Sequence, residues 1–155
     1  MRRAPFLLLA VLLAGCYRPE SPPQLGETVS VRVVANAARQ VRGQALLQDA
    51  VARALGNRLG WEVRPGENGA RLELAIREES ITATAKDGRD VPIQWGVRLT
   101  ATVLLVARKG TFTSEITGIG YYTGTGDEAE GLRTAADSAA AALVTWIESE
   151  EERLK

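Results

Sequence analysis

The sequence predicts an α+β two-layer sandwich, in the order β-α-β-β-β-α, with two helices on one face of a mixed sheet. Three observations carry this. A helical apolar stripe follows the first β-branched run. Three alternating segments separated by turn signals then form a meander, and a second helical stripe closes the chain. Each helix has one apolar stripe and each strand one apolar face, so the two layers can bury each other.

The first strand is VSVRVVAN, Val29 to Asn36, rich in β-branched residues. Arg39 to Gly43 reads as a polar connector. From Gln44 to Leu59 the pairs Leu46/Leu47, Ala50/Val51 and Ala54/Leu55, then Leu59, recur at helical spacing, and Gly60 stops the helix. WEV, Trp61 to Val63, is a short extended piece ended by the turn RPGENG. In RLELAIREES, Leu72, Leu74 and Ile76 alternate with Arg71, Glu73 and Arg77, as in a half-buried strand. Asp87-Gly88 signals a hairpin.

The next strand, from Ile93 to Leu105, reads as the longest, with Gln94, Arg98, Thr100 and Thr102 on its polar side. After the turn at Arg108 to Thr111, FTSEITGIGYYT returns, and Gly118 and Gly120 suggest a bulge or a flat contact surface. Thr125 and Asp127 are candidate caps of the last helix, and Thr125 with Glu128 fits a capping box. Its stripe is Leu132, Ala135/Ala136, Ala139, Leu143 and Trp146/Ile147, which makes Trp146 a core residue. ESEEERLK reads as a solvated tail. If the helices share one face, the other face exposes Arg71, Glu73, Arg77, Arg98, Thr100 and Thr102.

The N-terminus states an address. Arg2 and Arg3 precede the apolar run Phe6 to Ala14, which is shorter than the ~20 residues a spanning helix needs. Charged start, short apolar run and small residues together form a secretory signal over residues 1–15. Leu13-Ala14-Gly15-Cys16 looks like the lipobox of bacterial lipoproteins, which implies cleavage between Gly15 and Cys16 and lipidation of Cys16, palmitate included. Several acyl chains anchor stably where one does not, each buried CH₂ adding ~0.8 kcal/mol. Tyr17 follows, not the Asp that commonly retains lipoproteins at the inner membrane, so the outer membrane is expected. Residues 16–28, with Pro19, Pro22 and Pro23, read as a lipidated tether, and residues 29–155 as one globular domain.

Composition narrows the chemistry. Cys16 is the one cysteine and there is no histidine, which removes disulfides, Cys/His zinc sites and Ser-His-Asp catalysis. The chain carries 19 basic and 19 acidic residues. Loss of Arg2 and Arg3 leaves 17 against 19, a charge of −2, with no general attraction to nucleic acid. GTGDEA, Gly124 to Ala129, matches a dinucleotide loop in spacing only. No strand follows it, and Asp127 and Glu128 stand where phosphates would. The pairs Asp87/Asp90 and Glu78/Glu79 both read as turn-side carboxylates, so no enzyme, cofactor or metal is expected. Lys86 and Arg89 flank one hairpin tip, while Arg108 and Lys109 form the turn at the opposite end. Either cluster could hold a lipid phosphate, and Lys86 with Arg89 is preferred because Gly88 lets the backbone approach.

VSVRVVANAAR, LLQDAVARALGNRLGWEV, the strand from Ala70 to Ile76, the long strand and GIGYYTGTGDEAE together resemble the LPS-assembly lipoprotein (LptE) family. Asn36 matches an asparagine of that pattern, and Ala37-Ala38 replace its usual polar pair. The resemblance covers Val29 to about Glu150 and the lipobox. It implies a non-enzymatic plug on the periplasmic side of the outer membrane. The partner would be the large outer-membrane β-barrel protein of the lipopolysaccharide translocon, with lipopolysaccharide as a candidate ligand at Lys86 and Arg89. The competing reading is a membrane-tethered periplasmic adaptor or binding module in secretion or envelope maintenance.

Overall fold

The computed structural model describes residues 28–37, 41–66, 69–107, 110–124 and 127–154. The signal, Cys16 and all of the tether before Thr28 lie outside these residues, as do Arg108, Lys109 and Thr125.

Strand β1 (Thr28–Asn36) leads to helix α1 (Val41–Ala54), whose last turn continues over Leu55–Leu59. A short strand β2 (Glu62–Val63) follows. Then come β3 (Ala70–Lys86), β4 (Pro92–Ala107), β5 (Gly110–Thr123) and helix α2 (Glu128–Leu154). The sheet order is β2-β1-β3-β4-β5. β1 is parallel to both β2 and β3, and β3, β4 and β5 are antiparallel. Two helices pack on one face of this mixed sheet, the predicted α+β architecture. The piece WEV adds an outer strand of two residues beside β1.

The core lies between the layers. Leu47, Val51 and Leu55 of α1 and Leu132, Ala136, Leu143 and Ile147 of α2 are buried against Leu72, Leu74, Ile76, Val97, Leu99, Val103 and Leu105. These are the stripes and alternations read from the sequence. Each fully buried leucine or isoleucine side chain contributes about 1.5–3 kcal/mol of transfer free energy.

Local geometry explains the differences. α1 starts at Val41, so Gly43 belongs to the helix and not to a connector. A Cβ on Gly43 would run into the Glu79 carboxylate, so the missing side chain lets the helix start cross the sheet closely. α1 ends with the Gly60 and Trp61 amides both donating to the Leu55 carbonyl. Gly60 is left-handed at φ 67°, a conformation that costs glycine little.

β3, at 17 residues, is longer than β4, at 16. The ladder skips Arg77 between the pairs Ile76–Ala101 and Glu78–Thr100. That bulge moves the following residues one step, so Glu79 and Ile81 face the helices opposite Leu99 and Val97. Glu78 and Glu79 therefore sit inside a strand, not beside a turn. The hairpin after β3 closes through the Asp87 amide on the Val91 carbonyl (2.8 Å) and the Asp90 amide on the Asp87 carbonyl (3.0 Å). It is a three-residue loop in which Asp90, at φ 67°, takes the left-handed position, rather than a two-residue Asp-Gly turn.

β5 carries no bulge. Its glycines form the flat contact instead. α2 runs on through ESEEERL to Leu154, beyond the predicted end of the helix. Trp146 is half-buried at the margin of the core, while Ile147 beside it is buried. The stripe of α2 points between Leu143 and Ile147, which leaves the indole at its side rather than beneath it.

Candidate docking surface

The helix-free face of the sheet is built row by row from the ladder register. Arg32, Glu73, Leu104 and Thr113 share one row, and Thr102 and Glu115 lie in the next. Then come Glu78, Thr100 and Thr117, followed by Ser80, Arg98 and Ile119, and then Thr82, Gly96 and Tyr121. Every residue on this face that the sequence reading placed there is found there. Strand alternation brings them together, because side chains two apart share a face.

The face is held by its own polar contacts. Arg71 Nε pairs with Glu73 Oε1 at 2.9 Å. The bulged Arg77 donates from Nε to the Thr102 hydroxyl at 2.9 Å. The Thr100 and Thr117 hydroxyls stand 3.2 Å apart as a hydrogen-bonded pair. Hydroxyls and guanidinium groups that reach outward from a rigid sheet suit a polar or hydrated partner. Towards the hairpin tip the face changes character. Ile119 and Tyr121 are among the exposed large apolar side chains, and the Tyr121 ring covers Gly96, whose Cβ would lie 3.5 Å from it.

The hairpin tip itself is electrically balanced. Lys86 Nζ meets Asp90 Oδ1 at 3.0 Å. Asp87 Oδ1 accepts the Arg89 and Val91 amides at 2.8 and 2.9 Å. The two sequence candidates for phosphate therefore lie on the same tip, with Lys86 already paired and the Arg89 guanidinium making no ion pair among the described residues.

On the helix side, the sheet runs on past the helix ends. Trp95 and Tyr122 stack there with centroids 6.4 Å apart and planes at 12°. Nearby, Glu79 buries Oε2 without a hydrogen-bond partner among the described residues. Burial, and secondarily the charge of Glu128, raises its pKa above the ordinary 4.5. The sequence places this carboxyl beside a turn, whereas one skipped residue, Arg77, turns it towards the helices.

Asp127 Oδ1 caps α2 by accepting the Ala129 amide at 2.9 Å. Among the described residues, no helix is long and apolar enough to cross a membrane.

No family model matches the chain, and no curated protein matches it in sequence. Solved structures match it in fold. A candidate lipoprotein of Caulobacter crescentus CB15 superposes with a TM-score of 0.50 at 16% identity, covering 76% of this chain and 89% of that one. The rare lipoprotein B of Shewanella oneidensis gives 0.51 at 11% identity, covering 82% of this chain and 98% of that one. At such identities the likeness is one of fold.

Proposed function

We propose that this chain is an outer-membrane lipoprotein of the LPS-assembly kind. It is anchored through Cys16 on the periplasmic side, docks with a large β-barrel protein, and assists lipopolysaccharide delivery to the outer leaflet. It acts by binding and not by catalysis. The observation that carries the reading is the open sheet face, with its Arg and Thr side chains on a rigid two-layer domain, behind a lipobox. A barrel lumen is polar, and a plug within it needs a surface of hydroxyls and paired charges rather than an apolar one. The fold likeness to rare lipoprotein B, which spans nearly all of that chain, supports the same reading.

If lipopolysaccharide phosphate is touched directly, Arg89 is the first contact. Lys86 would have to leave or share Asp90 to join it. Purification from detergent-solubilised outer membrane tests the proposal. One barrel protein should come out in stoichiometric amount with the full chain, and its mature form and surface lipopolysaccharide should fall when the chain is removed. Recovery of the chain without a barrel, from membranes that contain one, would sink the reading and favour a free-standing adaptor.

A further inference from the structure

The two edges of the sheet are built differently. One is blunted: β2 is only two residues long, and β1 beside it is bulged at Val34. The other is β5, last in the sheet order, 14 residues long, unbulged, without proline or lysine, and with Glu115 as its one charged residue. Short strands, bulges, prolines and lysines are the usual guards against edge pairing, and β5 has none of them.

The orientation of its amides follows from the ladder. The Gly124 amide donates inward to the Ile93 carbonyl at 3.0 Å, and the register runs unshifted from Thr123 to Gly110. Even-numbered residues of β5 therefore bond to β4. Thr113, Glu115, Thr117, Ile119 and Tyr121 turn both amide and carbonyl outward, with their side chains on the open face. Main-chain hydrogen bonding and apolar side chains thus coincide on one stretch, since Ile119 and Tyr121 are 42% and 54% exposed.

What could pair there is restricted. A second copy joined β5 to β5 is disfavoured by α2. A Cβ on Gly118 would overlap the Ala135 carbonyl and lie 2.5 Å from the Ala139 nitrogen, so the helix backbone rides directly above the edge strand. Strands pair ~4.8 Å apart, whereas helix axes need ~8–10 Å, so two such helices would collide. The chain's own segment before Thr28 carries Pro19, Pro22 and Pro23 and makes a poor ladder strand. The remaining occupant is a bare strand. On the helix side it would meet Ser138 and Ala142, one and two turns on from Ala135, both exposed, small and uncharged.

We propose that the free edge of β5 is a strand-addition site for an extended segment of another protein. That segment has apolar side chains on alternate residues, set beside Ile119 and Tyr121, and no helix covering it. This inference rests on the edge and not on the barrel reading above.

The test is amide hydrogen exchange of the full chain in detergent micelles, with and without a synthetic peptide of alternating valine and threonine, lysine at each end. Exchange at Thr113, Glu115, Thr117, Ile119 and Tyr121 should slow by at least ~10-fold, while the even-numbered amides, already in the ladder, stay as they are. The variant T117K/I119K changes only exposed side chains. It should keep its far-ultraviolet circular dichroism and lose the peptide effect. No slowing at the odd positions, slowing spread over both sets, or equal slowing in the lysine variant would each overturn the proposal. Concentration-dependent protection without peptide would place a second copy at the edge and overturn the choice of occupant.

Discussion

Glu79 shows how one residue can be misplaced by reading alternation alone. Continued from Ile76, the period of two would send Glu78 to the helices and Glu79 to solvent. The skipped Arg77 reverses this, and the carboxyl ends beneath the start of α1, with Oε2 buried and without a hydrogen-bond partner among the described residues. Its pKa is raised by burial first and by Glu128 second. A carboxyl whose folded pKa is above its unfolded value binds its proton more tightly when folded. Stability is therefore lost as pH rises through that region, and the cost is fully present above the folded pKa. Glu79→Gln should be more stable than the parent at pH 7, with the gain shrinking as pH falls through the raised folded pKa towards the ordinary carboxylate value. Urea melts at pH 4 and pH 7 check this, and a gain of equal size at both would show that charge is not the cause. The hairpin tip holds a second such residue. Asp90 occupies a left-handed position at φ 67°, which costs a non-glycine residue ~1 kcal/mol or more. Asp90→Gly should relieve that strain and raise the urea midpoint. An unchanged or lower midpoint would mean that the Lys86 pair outweighs the strain. The sequence showed a turn here, but not which of its residues would take the left-handed conformation.

The contact between α2 and β5 governs the element scale. Gly118 and Gly120 lie under backbone atoms of the helix. A Cβ on Gly120 would overlap the Gly131 carbonyl and come within 2.7 Å of the Ala135 nitrogen. Neither obstacle is a flexible side chain that could turn aside. Gly118→Ala should therefore push α2 off the sheet and cost at least ~2 kcal/mol, in the range of overpacked cores. Gly88→Ala, with nothing within 4 Å of its Cβ, should be nearly neutral. Denaturant melts of the two variants give the comparison, and similar losses would mean that the helix can lift at little cost. The pair of glycines was visible as an oddity in a strand. The sequence left open whether they marked a bulge or a contact, because that depends on what lies above them. The small residues of α2, from Gly131 through Ala140, are the other half of the same close approach.

At the scale of the whole molecule, the buried core among the described residues runs from Val29 to Ile147, and the lipidation site read from the sequence lies upstream of it. Cys16→Ser should remove palmitate labelling and shift the protein out of the membrane fraction, with the unfolding curve of the domain unchanged. Equal labelling of both forms would end the lipoprotein reading. The helical layer is joined across its exposed side by Arg53 with Asp137 at 2.9 Å and by Arg58 with Glu148 at 3.4 Å, while Asp49 pairs with Arg53 within α1. Such exposed pairs orient more than they stabilise. By itself the sequence determined the order of the main elements, the buried stripes, the sharing of one sheet face by both helices, and the place of Arg71, Glu73, Arg77, Arg98, Thr100 and Thr102 on the other face. All of these follow from periods of 3.6 and 2 and from the need to bury apolar surface, which are local properties of the chain. Tertiary structure alone decided which way Glu79 points, what Gly118 and Gly120 touch, and that β5 rather than β1 is the unguarded edge. Those depend on a bulge, on the height of a helix above a strand, and on strand order, each set by contacts between residues far apart in the chain.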